Sequence, residues 1–224
     1  MNNPFSWDAF NKIPIVGIMR NIPQQQMQDV AAMFHASGLN TLEITMNSVA
    51  AEETISYLAT HFGDRLNIGA GTVCTLKDLD KALAAGATFV VTPILKKKLI
   101  KACVAEKIPI FPGAYTPTEI YNAWTWGASM VKVFPATRLG PAYIKEVLAP
   151  LPDLKLIPTG GISRENFTAF LSAGATGLGI GSELFPLALI NNSDPAPLKQ
   201  LFAAYVEKYQ HYLLTGEHGD TGSR

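Results

Sequence analysis

The feature that most constrains the fold of this chain is a repeat of short apolar runs at nearly even spacing. Each run is rich in aliphatic or β-branched residues, and the segments between the runs have helical periodicity. Eight strands are predicted, at residues 13–19, 40–45, 66–69, 88–91, 108–111, 129–133, 154–158 and 176–180. Each intervening helix returns the chain to the end of the sheet at which the previous strand began, so strands that alternate with helices are expected to be parallel.

Local signals at the helix ends support this βα repeat. A glycine precedes several of the strands and is typical of a helix C-terminus, at Gly38, Gly86, Gly127 and Gly174. Thr116 with Glu119 forms a capping box, and Thr75 with Asp78 has the same pattern. Ser163 is predicted to start a further helix in a similar way. The repeat is therefore regular at both ends of its helices.

Eight βα units in 224 residues predict an α/β protein with a (β/α)8 TIM barrel. An open doubly wound sheet is the structural alternative. We expect a single domain over residues 1–215, a short extra helix over 6–11 and a disordered polar tail over 216–224. In such a barrel the chemistry is expected at the carboxyl ends of the strands and in the loops that follow them.

Composition excludes several classes of partner. Eighteen basic and eighteen acidic residues give a formal net charge of zero, so no overall field favours nucleic acid or an anionic membrane. No apolar segment is long enough to span a membrane, and the first residues do not resemble a secretory leader. Cys74 and Cys103 have no disulfide or zinc spacing, which favours a reducing cytoplasm. The four histidines have no metal-ligand spacing, and the glycines at 177–181 lack the dinucleotide-binding spacing, so neither metal nor cofactor is expected.

Lys132 lies inside a predicted strand, between Val131 and Val133, whereas Lys155 lies at the entering end of its strand. Burial among apolar neighbours lowers the pKa of a lysine, and a neutral amine can attack a carbonyl to form an imine. The structural alternatives are a lysine that extends to the barrel rim and one that is paired with a buried carboxylate. Its position favours a catalytic role.

Glu43 is the matching acid, because it lies in the second predicted strand between Leu42 and Ile44. If Glu43 and Lys132 both point into the barrel, each shifts the pKa of the other, and the carboxyl group can move protons for imine chemistry. A buried ion pair that only supports the fold is the alternative. A metal-free isomerase or decarboxylase with Glu43 as the base also remains open.

Binding groups are predicted at several strand ends. Arg20 follows the first strand and suits a carboxylate, although it could be a surface residue, and Thr72 offers a hydroxyl after the third strand. Glycines and a serine follow the last two strands, among them Gly160, Gly161, Gly181 and Ser182. Loops at these places in a barrel frequently bind phosphate through N–H groups and a helix N-terminus. The glycines could instead form tight turns, and a phosphate site is compatible with a non-catalytic binding protein.

The order and spacing of six motifs resemble the 2-keto-3-deoxy-6-phosphogluconate (KDPG) aldolase family. These motifs are Leu42-Glu43-Ile44-Thr45, Gly69-Ala70-Gly71-Thr72-Val73, Thr92-Pro93, Phe111-Pro112-Gly113, Val131-Lys132-Val133-Phe134-Pro135 and Pro158-Thr159-Gly160-Gly161. The resemblance runs from about Ile13 to Tyr205. The combination is specific, although each motif alone is not.

The resemblance implies a class I aldolase, usually a homotrimer, that forms pyruvate and glyceraldehyde 3-phosphate from a phosphorylated keto acid without a metal or cofactor. It implies that Lys132 forms the Schiff base and that Glu43 acts as general acid and base through water. Thr72 would help to hold the pyruvyl carboxylate. The remaining implied roles are pocket walls at Pro93, Gly113 and Phe134 and phosphate binding at Gly160, Gly161, Gly181 and Ser182.

Two departures concern the substrate. Family members specific for the phosphogluconate often have an arginine shortly after the strand-two glutamate, whereas this chain has Asn47-Ser48, so Arg20 is expected to bind the carboxylate. Arg20, Asn47-Ser48 and the segment 140–145 resemble the phosphogalactonate branch. Thr159 resembles the phosphogluconate branch, and its hydroxyl could bind the C4 oxygen in one configuration. We expect KDPG as the substrate, with its C4 epimer as the alternative.

Overall fold

A computed structural model describes residues 4–216 of the chain. The strands are β1 (Ile15–Met19), β2 (Thr41–Thr45), β3 (Asn67–Gly71), β4 (Val90–Thr92), β5 (Ile110–Ala114), β6 (Val131–Val133), β7 (Leu156–Pro158) and β8 (Leu178–Ile180). The helices are α1 (Trp7–Lys12), α2 (Met27–Ala36), α3 (Ala51–Phe62), α4 (Leu76–Ala84), α5 (Lys97–Ala105), α6 (Pro117–Thr125), α7 (Gly140–Leu148), α8 (Phe167–Ser172), α9 (Leu187–Ile190) and α10 (Ala196–Thr215). Except for Gly216, the predicted tail lies outside the described residues.

All eight predicted strands are present, with shifted boundaries. Most begin two residues later than predicted, because the apolar run includes buried residues that precede the first ladder hydrogen bonds, as at Phe89 before β4 and Met130 before β6. β3 and β5 extend beyond the predicted ends to Gly71 and Ala114. The pattern of apolar residues therefore gives the existence of a strand more accurately than its ends.

The strands form one parallel barrel in sequential order, with β8 next to β1. A single bridge between Thr159 and Gly179 joins β7 to β8 at the remaining seam. This sequential order confirms the (β/α)8 barrel and excludes the open doubly wound sheet.

Side chains along each strand alternate between the barrel interior and the layer of surrounding helices. Val16, Val91, Phe111 and Ile157 belong to an interior cluster that also contains Met130. Their immediate neighbours in the strands belong to a larger cluster that packs against the helices. Both faces of every strand are buried, as expected for a parallel sheet covered by helices.

The N-terminal segment closes the amino end of the barrel. Ser6 caps α1, so the predicted helix at 6–11 is present one residue later. Phe5 packs against the interior rings of Phe89 and Phe111 and against Phe10. The Asn67 side chain, at the start of β3, accepts from the backbone N–H of Ser6 at 2.7 Å and donates to its carbonyl at 3.0 Å. The Asn67 amide and the aromatic rings together hold the N-terminal segment in place as a plug at this end of the barrel.

The structure confirms most of the predicted helix signals. Both capping boxes form, at Thr75 and at Thr116. All four predicted helix-end glycines have a positive φ near 100°. The prediction for Ser163 is wrong, because α8 begins at Phe167 and Ser163 instead caps the preceding turn by accepting from the N–H of Glu165.

Candidate active site

A cavity of about 600 Å³ opens at the carboxyl end of the barrel. Its lining contains eight residues that the sequence predicts for the site, namely Arg20, Lys132, Phe134, Thr159, Gly160, Gly161, Gly181 and Ser182. They come from β6 and from the segments that follow β1, β6, β7 and β8. The cavity therefore brings the predicted lysine and the predicted phosphate loops together.

Lys132 lies in the middle of β6 and points into the barrel, two residues after the interior Met130. Its side chain is buried, with 6% of the residue exposed, but it lines the cavity. The ammonium nitrogen lies 5.1 Å from the centre of the Phe134 ring. The floor of the cavity around this amine is thus largely apolar, while its open side faces the polar loops.

Glu43 occupies the middle of β2 and is 2% exposed. Gly71 of β3 leaves the space for its carboxyl group, because a Cβ at Gly71 would lie 1.7 Å from Oε1 of Glu43. Among the described ion pairs, none joins Glu43 to Lys132 within 4.0 Å. The two groups act on each other through the field in the barrel rather than as a closed salt bridge.

Burial shifts the two groups towards their neutral forms. Burial lowers the pKa of Lys132, Arg20 lowers it further, and the Glu43 carboxylate opposes the shift. Burial raises the pKa of Glu43, against the opposing effect of Lys132 and Arg20. At a given pH these shifts increase the populations of the neutral amine and of the protonated carboxylic acid, which suits nucleophilic attack coupled to proton transfer.

Arg20 follows β1 and is the cation at the rim of the cavity. The next residue, Asn21, has a φ of 53°, and its N–H donates to Oγ of Ser48 at 3.0 Å. Ser48 also shares a hydrogen bond of 2.8 Å with the hydroxyl of Thr45. The Asn47-Ser48 segment, which lacks the expected arginine, thus supports the loop that carries Arg20.

Three further predicted site residues are not part of the cavity lining. Thr72 follows β3, Pro93 follows β4, and Gly113 lies near the end of β5. Gly113 is in register with Lys132, and a Cβ there would lie 2.3 Å from the carbonyl carbon of Pro93. Thr72 adopts a φ of 58° directly after Gly71. These residues support the region around Lys132 and Glu43 rather than the wall of the open cavity.

The predicted phosphate loops reach the cavity through their glycines. Gly160 and Gly161 have φ values of 95° and 71°, which favour glycine. The turn 162–166 separates them from α8, and α9 begins only at Leu187. Loop backbone therefore borders the cavity after β7, and the first residue of α9, Leu187, also lines it.

Sequence analysis missed part of the cavity wall. The additional lining residues are Ile18, Asn21, Ile162, Gly179, Glu183, Phe185 and Leu187. Strand alternation could have found Ile18, which follows the interior Val16, and Gly179, which lies between Gly177 and Gly181. The position of Glu183 in the loop after β8 is visible in the sequence, but no signal there assigns it to the wall.

The described part of the chain contains no cluster of side chains that is suited to a metal site. Within residues 4–216 no group of three or more His, Cys, Asp or Glu side chains could hold a metal ion. Cys74 and Cys103 are both free thiols. No helix in the same range is long and apolar enough to cross a membrane.

Comparison with known proteins gives a consistent result. The family model for KDPG and KHG aldolase matches residues 8–201. The chain is 42% identical over 166 residues to the 2-dehydro-3-deoxy-phosphogluconate aldolase of Haemophilus influenzae, covering 74% of this chain and 78% of that protein. It is 35% identical over 176 residues to the 2-dehydro-3-deoxy-6-phosphogalactonate aldolase of Escherichia coli K12, covering 78% and 85%.

A solved structure adds chemical detail about a similar protein. The KDPG aldolase of Legionella pneumophila, with pyruvate captured at low pH as a covalent carbinolamine intermediate, matches with a TM-score of 0.81 and 28% identity. The match covers 88% of this chain and 96% of that chain.

Proposed function

The chain belongs to the KDPG and KHG aldolase family, and from this premise we propose that it is a class I aldolase that reversibly cleaves 2-keto-3-deoxy-6-phosphogluconate to pyruvate and glyceraldehyde 3-phosphate. The observation that carries the proposal is the buried amine of Lys132, which faces the cavity with Glu43 inside the same barrel. This arrangement supplies a nucleophile and an acid–base group without any metal-ligand cluster in residues 4–216.

Lys132 begins the reaction as the neutral amine that burial favours. Its nitrogen attacks the C2 carbonyl of the keto acid to give a carbinolamine. The carboxylic acid of Glu43 protonates the carbinolamine hydroxyl through water, and this hydroxyl leaves as water, so that a protonated imine and a Glu43 carboxylate remain. The imine accepts the electron pair of the C3–C4 bond when this bond breaks. Phe134 lies beside this amine and contributes to the burial that lowers its pKa.

Glu43 moves the protons in this scheme. Its carboxylate, acting through water, accepts the proton of the C4 hydroxyl as the bond breaks, and glyceraldehyde 3-phosphate leaves the enamine. The carboxylic acid then returns a proton to C3 of the enamine, and hydrolysis of the imine releases pyruvate. The raised pKa of Glu43 suits this alternation between acid and base.

The binding groups are assigned to the two ends of the substrate. Arg20 and Thr72 bind the carboxylate of the pyruvyl part, while Pro93, Gly113 and Phe134 shape the space around it. At the other end the phosphate is bound by Gly160, Gly161, Gly181 and Ser182. The cavity supports the part of this assignment that concerns Arg20, Phe134 and the glycine loops, because these residues line it together with Lys132.

The 6-phosphogalactonate epimer at C4 is a second candidate substrate. It is supported by the resemblance of Arg20 and Asn47-Ser48 to the phosphogalactonate branch, and the hydrogen bond between Ser48 and Asn21 connects these two segments. Thr159 supports the gluconate epimer, because this residue resembles the phosphogluconate branch, and it lines the cavity with 6% of its surface exposed. A fixed hydroxyl at this position can distinguish the two C4 configurations.

We also propose that the protein is a cytoplasmic homotrimer. The proposal rests on the family resemblance and, for the compartment, on the two free thiols at Cys74 and Cys103. Light scattering during gel filtration tests the assembly, with the mass of three chains as the expected result. A monomer or a dimer would contradict it.

The substrate proposal is tested by assaying both C4 epimers of the phosphorylated keto acid side by side, with pyruvate release followed by lactate dehydrogenase. We expect turnover of the gluconate epimer with the higher kcat/KM, and we expect Thr159→Val to reduce this preference. A higher kcat/KM for the galactonate epimer would favour the second candidate.

The same assay separates the remaining alternatives. Binding of the phosphorylated keto acid by calorimetry without release of pyruvate would indicate a non-catalytic binding protein. Activity that is lost in Glu43→Gln and kept in Lys132→Met would indicate an isomerase or decarboxylase that does not use an imine. We expect both variants to lose pyruvate release.

A further inference from the structure

Two side chains outside the cavity lining hold the glycine loop that follows β7. Asn166 spans this loop, since its Nδ2 donates to the carbonyl of Gly161 at 2.8 Å and its Oδ1 accepts from the N–H of Ser163 at 2.9 Å. One carboxamide therefore fixes two peptide groups of the segment 160–166, which we call the Gly160 loop.

The bond to Gly161 determines how this loop meets an anion. Gly161 and Ile162 line the cavity, whereas Asn166 does not. The carbonyl of Gly161, directed to Asn166, cannot turn its partial negative charge towards a bound phosphate. In a planar trans peptide the N–H of Ile162 points away from that carbonyl, so Asn166 sets the direction of a potential donor as well.

Lys208 of α10 fixes the other end of the Gly160 loop. Its Nζ donates to the carbonyls of Arg164 at 2.5 Å and Glu165 at 3.0 Å, and it lies 5.5 Å from the centre of the Phe167 ring. These charge-assisted bonds connect the C-terminal helix to the turn that ends the loop.

The segment after β6 limits the loop from the opposite side. A Cβ at Gly161 would lie 2.9 Å from Cα of Thr137, so the backbone has little room to move in that direction. With Asn166 and Lys208 removed, the loop would keep this contact but lose the bonds that orient its peptides.

We propose that Asn166 and Lys208 are positioning residues for phosphate recognition, acting by fixing the peptide orientation of the Gly160 loop. The inference rests on the proposed function. It predicts that the two side chains determine the preference for a phosphorylated over an unphosphorylated aldehyde and leave the chemistry at Lys132 unchanged.

The test is the aldol addition of pyruvate to glyceraldehyde 3-phosphate and to glyceraldehyde. In Asn166→Ala and in Lys208→Met we expect the KM for the phosphorylated aldehyde to rise about tenfold, which corresponds to about 1.4 kcal/mol of binding free energy, with little change in kcat. We expect kcat/KM for glyceraldehyde to stay within about twofold of wild type. Asn122→Ala on α6 and Lys101→Met on α5 are matched controls, and they should change the kinetic constants for neither aldehyde.

Asn166→Asp separates the two hydrogen bonds of this side chain, since Asn166 occupies the N-cap position of α8 without a side-chain capping bond and its carboxamide bonds to the Gly160 loop. Aspartate is a preferred N-cap residue and still accepts from Ser163, but its carboxylate cannot donate to the carbonyl of Gly161. We expect this variant to fold and yet to lose the preference for the phosphorylated aldehyde. A wild-type preference in Asn166→Asp, or an equal loss for both aldehydes in Asn166→Ala, would overturn the inference.

Calorimetric titration with inorganic phosphate tests the inference without any need for turnover. Wild type should bind phosphate about tenfold more tightly than Asn166→Ala, and equal affinities would overturn the inference. Failure of wild type to turn over either aldehyde would overturn the proposed function, while the phosphate titration would still decide the role of Asn166.

Discussion

The two ends of the barrel interior use the same strands for opposite purposes. At the amino end, Met130 of the segment entering β6 packs in an aromatic cluster with Phe89 and Phe111 beneath the plug formed by Phe5. Two residues later, Lys132 faces a cavity. The closed end supplies stability and keeps water out from below, so the open end can contain a lysine whose charge is unfavourable.

The interior glycines show the same difference. At the closed end the spaces beside Gly69 and Gly177 are filled by the rings of Phe89 and Phe10. At the open end the spaces beside Gly71 and Gly179 are filled by the side chains of Glu43 and Thr159. Small residues thus admit apolar rings at one end and polar, reactive groups at the other.

The largest expected effect is loss of activity without loss of stability in Lys132→Met. We expect kcat for cleavage to fall by roughly 10⁴-fold or more, because the imine cannot form. The melting temperature should stay equal or rise, since methionine avoids the burial of an amine. Lys155→Met, at an exposed lysine before β7, is the control and should keep wild-type activity. A clearly less stable Lys132→Met would contradict the comparison.

The converse is expected in Phe111→Ala at the closed end. Removing a fully buried ring should lower the free energy of unfolding by about 3–5 kcal/mol, measured by chemical denaturation. The folded variant should keep kcat within about twofold of wild type. Tyr121→Ala, at an exposed ring on α6, should change stability by at most about 0.5 kcal/mol. Loss of activity in folded Phe111→Ala would show that the two ends are not separable.

Gly71→Ala and Gly69→Ala compare the two ends within a single strand. A methyl at Gly71 displaces the Glu43 carboxyl group, so we expect kcat to fall about 10²-fold with little effect on folding. A methyl at Gly69 would lie 2.3 Å from the Phe89 ring and should destabilise the fold by about 1–3 kcal/mol with the chemistry retained. Equal losses of activity and stability in both variants would count against the distinction.

A smaller effect is expected in the pH dependence of stability. The pKa of Lys132 is lowered in the folded state, so between that pKa and the ordinary lysine value the unfolded chain binds more protons than the folded one. The contribution of Lys132 to the free energy of unfolding therefore rises with pH in this window. Measured by urea denaturation, the advantage of Lys132→Met over wild type should shrink from neutral pH towards about pH 10. A constant difference would argue against a lowered pKa.

Much of the fold could be predicted because its signals are local. The capping box at Thr116 and the glycine at Gly86 depend on neighbouring residues, and the strand repeat depends on short apolar runs. The barrel topology then brings Glu43 and Lys132 into one interior. Contacts between distant residues had no such signal, as for Asn67 with Ser6, 61 residues apart.

The candidate site shows the same limit. Strand position indicated Lys132, but the support of the phosphate loop by Lys208 depends on how α10 packs, and it joins residues 44 positions apart. In the sequence, the segment of Ser48 was notable only because it lacks the arginine that phosphogluconate-specific members often have. Its bond to Asn21 became visible when β1 and β2 were placed side by side.

The central claim is that the amine of Lys132 is neutral often enough inside the barrel to condense with a keto acid. Incubation of the protein with pyruvate and sodium borohydride, followed by peptide mass spectrometry, tests it directly. We predict one reduced pyruvate adduct per chain, located on Lys132, and no adduct in Lys132→Met. An unmodified protein, or an adduct on another lysine such as Lys155, would contradict the account.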